Sequence, residues 1–171
     1  MDQFRAASPD VAIRTTFIVG FPGEADAQFD NLMRFVEKAQ FDRAGVFEYS
    51  TEDGTPSADL PDRVPSRVKR ARKDKLMRLQ QGISLQRNRT WIGREIEVLV
   101  EEAGGSRRRG DQPSPLGEIS SGSVIGRSFR DAPEIDGHVI ISGSSAKPGD
   151  FARVTITDAR PYDLIGMSNE V

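Results

Sequence analysis

The segment that most restricts the fold of this chain lies between Ile13 and Ser50. An apolar run, Phe17-Ile18-Val19, passes directly into Gly20-Phe21-Pro22-Gly23-Glu24. Beyond it Ala25, Phe29, Leu32, Met33, Val36 and Ala39 recur at three- and four-residue steps, with Glu37 and Lys38 off that face. This is the period of an amphipathic helix. A second strand-like run, Ala44 to Ser50, follows after Phe41-Asp42-Arg43. Strand, helix and strand at this spacing predict a βαβ unit with two parallel neighbours. Parallel strands are normally covered on both faces, so such a pair is expected inside a larger sheet.

Charge divides the rest of the chain. Residues 1–62 carry 5 Lys and Arg against 12 Asp and Glu, a net −7; residues 63–92 carry 10 against 1, a net +9; residues 93–171 carry 9 against 13, a net −4. Three pieces with different surroundings are expected, at 1–65, 66–91 and 92–171. The sequence has no cysteine, which excludes disulfides and thiolate-held metals within these residues. It has no apolar run near the ~20 residues of a membrane span. The start MDQFRAASPD lacks the basic and apolar regions of a secretory signal. A cytoplasmic setting is expected.

Gly54, Pro56, Pro61 and Pro65 make Thr51 to Pro65 a loop. A helix is predicted from about Ser66 to Thr90, with an apolar stripe of Val68, Ala71, Leu76, Leu79 and Ile83. Arg67, Lys69, Arg70, Arg72, Lys73, Lys75 and Arg78 fill much of its remaining surface. After it come short strands, Glu95–Val100, Gly117–Ile119, Val124–Phe129, Gly137–Ser142, Phe151–Asp158 and Asp163–Gly166, separated by Gly-, Pro- and Ser-containing turns. That spacing points to a small antiparallel barrel.

Several of these segments together carry a family pattern. Arg14 to Glu24 is similar to RTxxIVGFPGET, Val46 to Thr55 to VGVFxYSxExGT, and Leu79 to Ser84 to LQQxIS. Further on stand Gly126-Arg127-Ser128, Asp131 to Gly137 (DAPEIDG), Pro148-Gly149-Asp150-Phe151 and Tyr162 to Gly166. In this order they resemble the carboxyl-terminal part of radical S-adenosylmethionine (SAM) methylthiotransferases of the RimO type, over residues 11–166. The resemblance implies an α/β plus all-β fold: the closing βαβ portion of a partial (β/α) barrel, a connecting helix and an OB-like TRAM β-barrel. Where the family has Thr after GFPGE this chain has Ala25, which leaves Asp26 as the expected helix cap.

The same resemblance implies a transferase that adds a methylthio group to an aspartate of ribosomal protein S-twelve, using SAM and two 4Fe–4S clusters. The cluster cysteines would belong to an amino-terminal portion outside this sequence, which makes that portion a partner and this chain inactive alone. Gly20, Phe21, Pro22, Gly23 and Glu24 would form one side of the SAM pocket, with the glycines admitting a ligand to the backbone. Phe47 and Tyr49 either line its mouth or pack in the core. Arg127, Asp131, Glu134 and Asp136 are expected to form a turn that contacts the protein partner; His138, the one histidine, makes no catalytic constellation. The basic helix is either a solvated face or a contact for ribosomal RNA phosphates. Two other functions remain open: a transfer-RNA methylthiotransferase of the same family, and a non-catalytic TRAM-type binding module. The acidic balance of residues 93–171 favours a basic protein partner over RNA for the barrel.

Overall fold

The computed structural model describes residues 1–103, 122–133 and 136–169, and the chain divides into two compact units, Met1–Ser84 and Leu85–Val171. The candidate strand Gly117–Ile119, the loop Arg107-Arg108-Arg109 and Glu134 lie outside the described residues.

The first unit begins with a short helix α1 (Asp2–Ala7), whose Arg5 guanidinium donates to the Ala39 carbonyl at 2.9 Å. A cation is favourable there, because Ala39 ends helix α2 (Asp26–Ala39). Strands β1 (Arg14–Val19) and β2 (Arg43–Glu48) are parallel neighbours, with Phe17 opposite Val46 and Ile18 opposite Phe47. They form a two-stranded sheet, the βαβ unit read from the sequence. Residue alternation gives the sheet two unlike faces. Val19 and Val46 join Phe29, Val36, Phe41, Leu76 and Ile83 in a buried core. On the other face Ile18 is 58% exposed and Phe47 is 59% exposed. Phe47 therefore does not pack in this core, although a strand phenylalanine usually does.

Helix α2 is capped by Ala25, with no side-chain hydrogen bond at its start. Asp26 is the first helical residue, and its carboxylate accepts from Arg72 at 2.8 Å instead of capping. Within Thr51–Pro65 only a 3-10 turn at Pro56–Asp59 is regular. Helix α3 (Ser66–Arg89) supplies residues to both units. Its buried line within the first unit is Arg72, Leu76, Gln80, Ile83 and Ser84; Ala71, expected in the apolar stripe, is exposed. The Gln80 amide donates to the Phe41 carbonyl and to Ser84 Oγ, both at 2.9 Å, and Ser84 Oγ donates to the Asp42 carbonyl at 2.9 Å. The LQQxIS signature thus holds α3 against the start of β2 by satisfying buried carbonyls.

The second unit is a closed barrel of β3 (Glu95–Ala103), β4 (Ser123–Ser128), β5 (Val139–Ser142), β6 (Phe151–Ala159) and β7 (Leu164–Ser168), in the order β3-β4-β5-β7-β6. Alternate residues fill it: Ile96, Val98 and Val100 from β3, Ala152, Val154 and Ile156 from β6. One pair, β5 with β7, is parallel and the others are antiparallel. The barrel is tight at Gly126, where a Cβ would stand 2.4 Å from the Leu99 carbonyl oxygen.

Candidate functional site

The carboxyl ends of β1 and β2 open onto a small cleft lined by Gly20, Pro22, Tyr49, Thr51, Arg63, Val64 and Lys69. Gly20 and Gly23 both take positive φ (77° and 82°), so the chain reverses sharply after β1. Backbone bonds fix the reversal: Glu24 N–H donates to the Phe21 carbonyl at 2.9 Å and Gly23 N–H to the Asp62 carbonyl at 3.0 Å.

Two side chains from α3 complete the loop. Arg72 donates to Glu24 Oε1 at 2.7 Å and to the Glu24 carbonyl at 2.9 Å, and Glu24 Oε1 also accepts the Gly20 N–H at 3.1 Å. The Arg72 and Glu24 side chains are only 7% and 14% exposed. Glu24, expected beside the ligand, is thus held in an internal ion pair that fastens the GFPGE loop to α3. Lys69 Nζ donates to the Tyr49 carbonyl at 2.7 Å. The Lys69 stem crosses Gly20 so closely that a Cβ there would lie 2.2 Å from Lys69 Cγ. The close approach that Gly20 permits is taken up by Lys69 and not left to a ligand. At Gly23 no heavy atom stands within 4 Å of a Cβ position, so that side of the loop is open.

Phe21 and Tyr49 meet edge to face, with centroids 5.1 Å apart, and Phe21 is half exposed. Tyr49 Oη donates to the Ser57 carbonyl at 3.1 Å, which fixes the ring. Phe21 thus presents an apolar face beside the cleft, while Phe47 lies on the bare sheet face with Ile18 and does not line the cleft. The lining holds two cations, the hydroxyls of Thr51 and Tyr49 and the Tyr49 ring, but no acid and no histidine. This set can bind and orient a ligand. Lys69 and Arg72 were missed as inward residues because a helix with nine cations reads as outward-facing, towards solvent or phosphates. The signal was their step of three and four to Leu76, which puts them on its side of the helix.

The DAPEIDG corner is built by its own acids. Asp131 is buried, and its Oδ2 accepts from Ser128 N–H at 3.1 Å and Ser128 Oγ at 2.7 Å. Asp136 Oδ2 accepts the Ala132 N–H at 2.8 Å. A Cβ on Gly137 would fall 1.8 Å from the Tyr162 carbonyl oxygen, so only glycine fits there. Asp131 therefore shapes the turn from inside. Arg127 pairs with Glu101 at 2.7 Å on the partly exposed surface. Sequence reasoning also passed over Arg130, buried beside Trp91 with its guanidinium 4.6 Å from the ring centroid, while Arg94 lies 3.9 Å away.

A 4Fe–4S cluster does not fit these residues. The sequence offers no thiolate, and among the described residues no three His, Cys, Asp or Glu side chains gather. For SAM the open side of Gly23 and the free face of Phe21 fit one wall of a pocket and no more. No helix of the described residues is long and apolar enough to cross a membrane.

Residues 92–168 match the TRAM domain family. Over 164 residues, 96% of its length, the chain is 54% identical to "Ribosomal protein uS12 methylthiotransferase RimO" of Roseiflexus sp., where the match covers 32% of that protein. It is 51% identical to the RimO of Roseiflexus castenholzii over 166 residues, 97% of this chain and 32% of that one. It is also 51% identical to the RimO of Chloroflexus aurantiacus over 164 residues, 96% and 33% of the two chains. The chain thus spans about a third of the length of the relatives it matches. The chain is thus similar to the carboxyl-terminal, TRAM-bearing third of these RimO methylthiotransferases.

Proposed function

We propose that this chain serves as the carboxyl-terminal part of a methylthiotransferase that modifies an aspartate of ribosomal protein uS12 in the cytoplasm. The observation that carries the reading is 54% identity sustained across both units, since a free-standing TRAM module would need only the second. Residues 1–65 contribute the closing strands of a (β/α) barrel, and the two-stranded sheet with one bare apolar face agrees with that place. Phe21, Pro22, Gly23 and the Tyr49-lined cleft form one wall for SAM, whose bound form supplies the radical chemistry in this family. The clusters sit on cysteines of an amino-terminal partner segment, and the chain alone is inactive. The barrel recognises the substrate protein. Its net −4 suits a basic ribosomal protein, with the outward Glu95, Glu97 and Glu101 and the adjoining Arg127 as the contact surface.

The test is a chimera in which residues 11–166 replace the matching third of the Roseiflexus enzyme. Methylthiolation of uS12, read by peptide mass spectrometry, is the expected result. A folded chimera that leaves uS12 unmodified, or one that methylthiolates transfer RNA instead, would overturn the reading. The separate chain should take up no cluster on anaerobic reconstitution, and iron–sulfur absorbance that survives repurification would contradict its dependence on a partner segment.

A further inference from the structure

Helix α3 turns its cations in two directions. Lys69 and Arg72 point inward, as described above, and Lys73 and Lys75 lie 3.9 Å from the Glu48 and Asp30 carboxylates. Arg67, Arg70 and Arg78 are exposed and make no ion pair or hydrogen bond with any described residue. At 100° per residue these three fall within one arc of about 80° on the helix, and Arg67 and Arg78 stand about 16 Å apart along its axis. Asp74 is the single acid among them, Gln81 is the other exposed residue of the arc, and the exposed Ala71 and Gly82 border it. Short side chains between the arginines let an extended ligand lie close to the helix. The stripe rises from a unit that is otherwise strongly acidic, net −7 over residues 1–62.

We infer that the outward face of α3 binds an RNA phosphate backbone without reading its sequence. Guanidinium groups with unused donors match phosphate oxygens in pairs, which a compact ammonium does not. An RNA strand presents a charge at every nucleotide, so it can engage all three arginines along one line. The acidic surroundings confine the strand to the stripe. A membrane surface fits less well, because the apolar side of α3, Leu76 and Ile83, is buried in the core and the outward arc has no exposed large apolar residue to insert. The arc also has no aromatic ring on which bases could stack, hence backbone binding alone. This surface is distinct from the barrel proposed to meet the substrate protein, and the inference stands whatever that substrate is.

Fluorescence anisotropy of the full chain with labelled single-stranded RNA of mixed sequence tests it. Arg67→Glu, Arg70→Glu and Arg78→Glu together should weaken binding at least about tenfold at low salt and reduce the slope of log K against log salt by about 2. The milder Arg-to-Gln triple should fall between it and the parent, which guards against a fold defect in the charge reversal. Reversing three exposed cations elsewhere, Arg34, Lys38 and Lys147, makes the same change in net charge and should cost less than about twofold. Equal losses in the two charge-reversed triples would overturn the inference, as would an unmodified chain without salt-dependent RNA binding. Tighter binding of an acidic peptide or of anionic vesicles than of RNA at the same stripe would overturn it too.

Discussion

The two units solve the same problem, burying strands, to different degrees. In the barrel every strand has a hydrogen-bonded neighbour on both sides, and the five inner faces close on one another. In the first unit β1 and β2 have only each other, and one face of that sheet is covered while the other shows Ile18 and Phe47. Ile156 in β6 and Ile18 in β1 are the same residue type in the same secondary structure, yet one is 1% exposed and the other 58%. The barrel's pattern is self-sufficient. The first unit's pattern is that of a piece of a larger sheet, with apolar residues on a face that nothing in the described residues covers.

Hydrogen exchange should show the contrast at its largest. Amides on the outer edges of β1 and β2 have no ladder partner, whereas those inside the barrel open only with global unfolding. Protection in β3, β6 and β7 should exceed that in β1 and β2 by about three orders of magnitude in a demonstrated monomer. Equal protection would mean that the first unit covers its edges by another route and would break the comparison.

Next in size is Arg72→Ala. It leaves the Glu24 carboxylate largely buried without its cation, which typically costs about 3 kcal/mol. The loss should be confined to the first unit. Trp91, the one tryptophan, lies in the barrel core and reports the second unit by fluorescence, while most helical circular dichroism comes from α2 and the greater part of α3. The circular dichroism transition should move to lower denaturant and the fluorescence transition should stay. If both shift together, the units unfold as one. Glu24→Gln added to Arg72→Met should recover much of the loss, because no unpaired charge remains.

The isoleucine pair sharpens the comparison at single residues. Ile156→Ala should cost about 2–4 kcal/mol, the transfer and cavity terms of a full core deletion. Ile18→Ala should cost less than about 0.5 kcal/mol in the isolated chain, since most of the side chain is already in water. A large effect at Ile18 would show that the bare face is occupied in solution, with self-association the first thing to measure by sedimentation.

How much of this was legible in the sequence follows the range of the interactions involved. The βαβ unit and the barrel strands are written in local periodicity, so residues such as Phe29, Val36, Val98 and Val154 declare their sides. The parallel β5–β7 pair is a non-local choice that no local period encodes. The direction of cations on α3 also escaped, because Lys69 and Arg72 are inward only through partners far along the chain, the Tyr49 carbonyl and Glu24. At the cleft the positions of Gly20, Phe21 and Tyr49 at the strand ends were readable. What Gly20 makes room for was not: a glycine announces a close approach without naming the group that approaches. Asp131 shows the same limit, since an acid in a turn looks alike whether it faces solvent or caps the backbone inside.

The smallest effect tests how the cleft is held. Tyr49 Oη donates to the Ser57 carbonyl and so ties β2 to the 3-10 turn of the loop. Tyr49→Phe keeps the ring, and with it the edge-to-face contact to Phe21, and removes one neutral hydrogen bond. The expected cost is about 1 kcal/mol. It should appear as faster limited proteolysis within residues 51–65, with β1 and the barrel unaffected. Phe21→Ala should do the reverse, exposing the Tyr49 ring while the loop stays closed. If Tyr49→Phe changes nothing, the loop is held by its other ties, the Gly23 N–H on the Asp62 carbonyl and Arg63 on the Ala58 carbonyl, and the cleft would keep its shape without the hydroxyl. If instead the loss spreads into β1, the first unit depends on this one loop more than on its core, and the contrast with the barrel is wider than burial alone indicates.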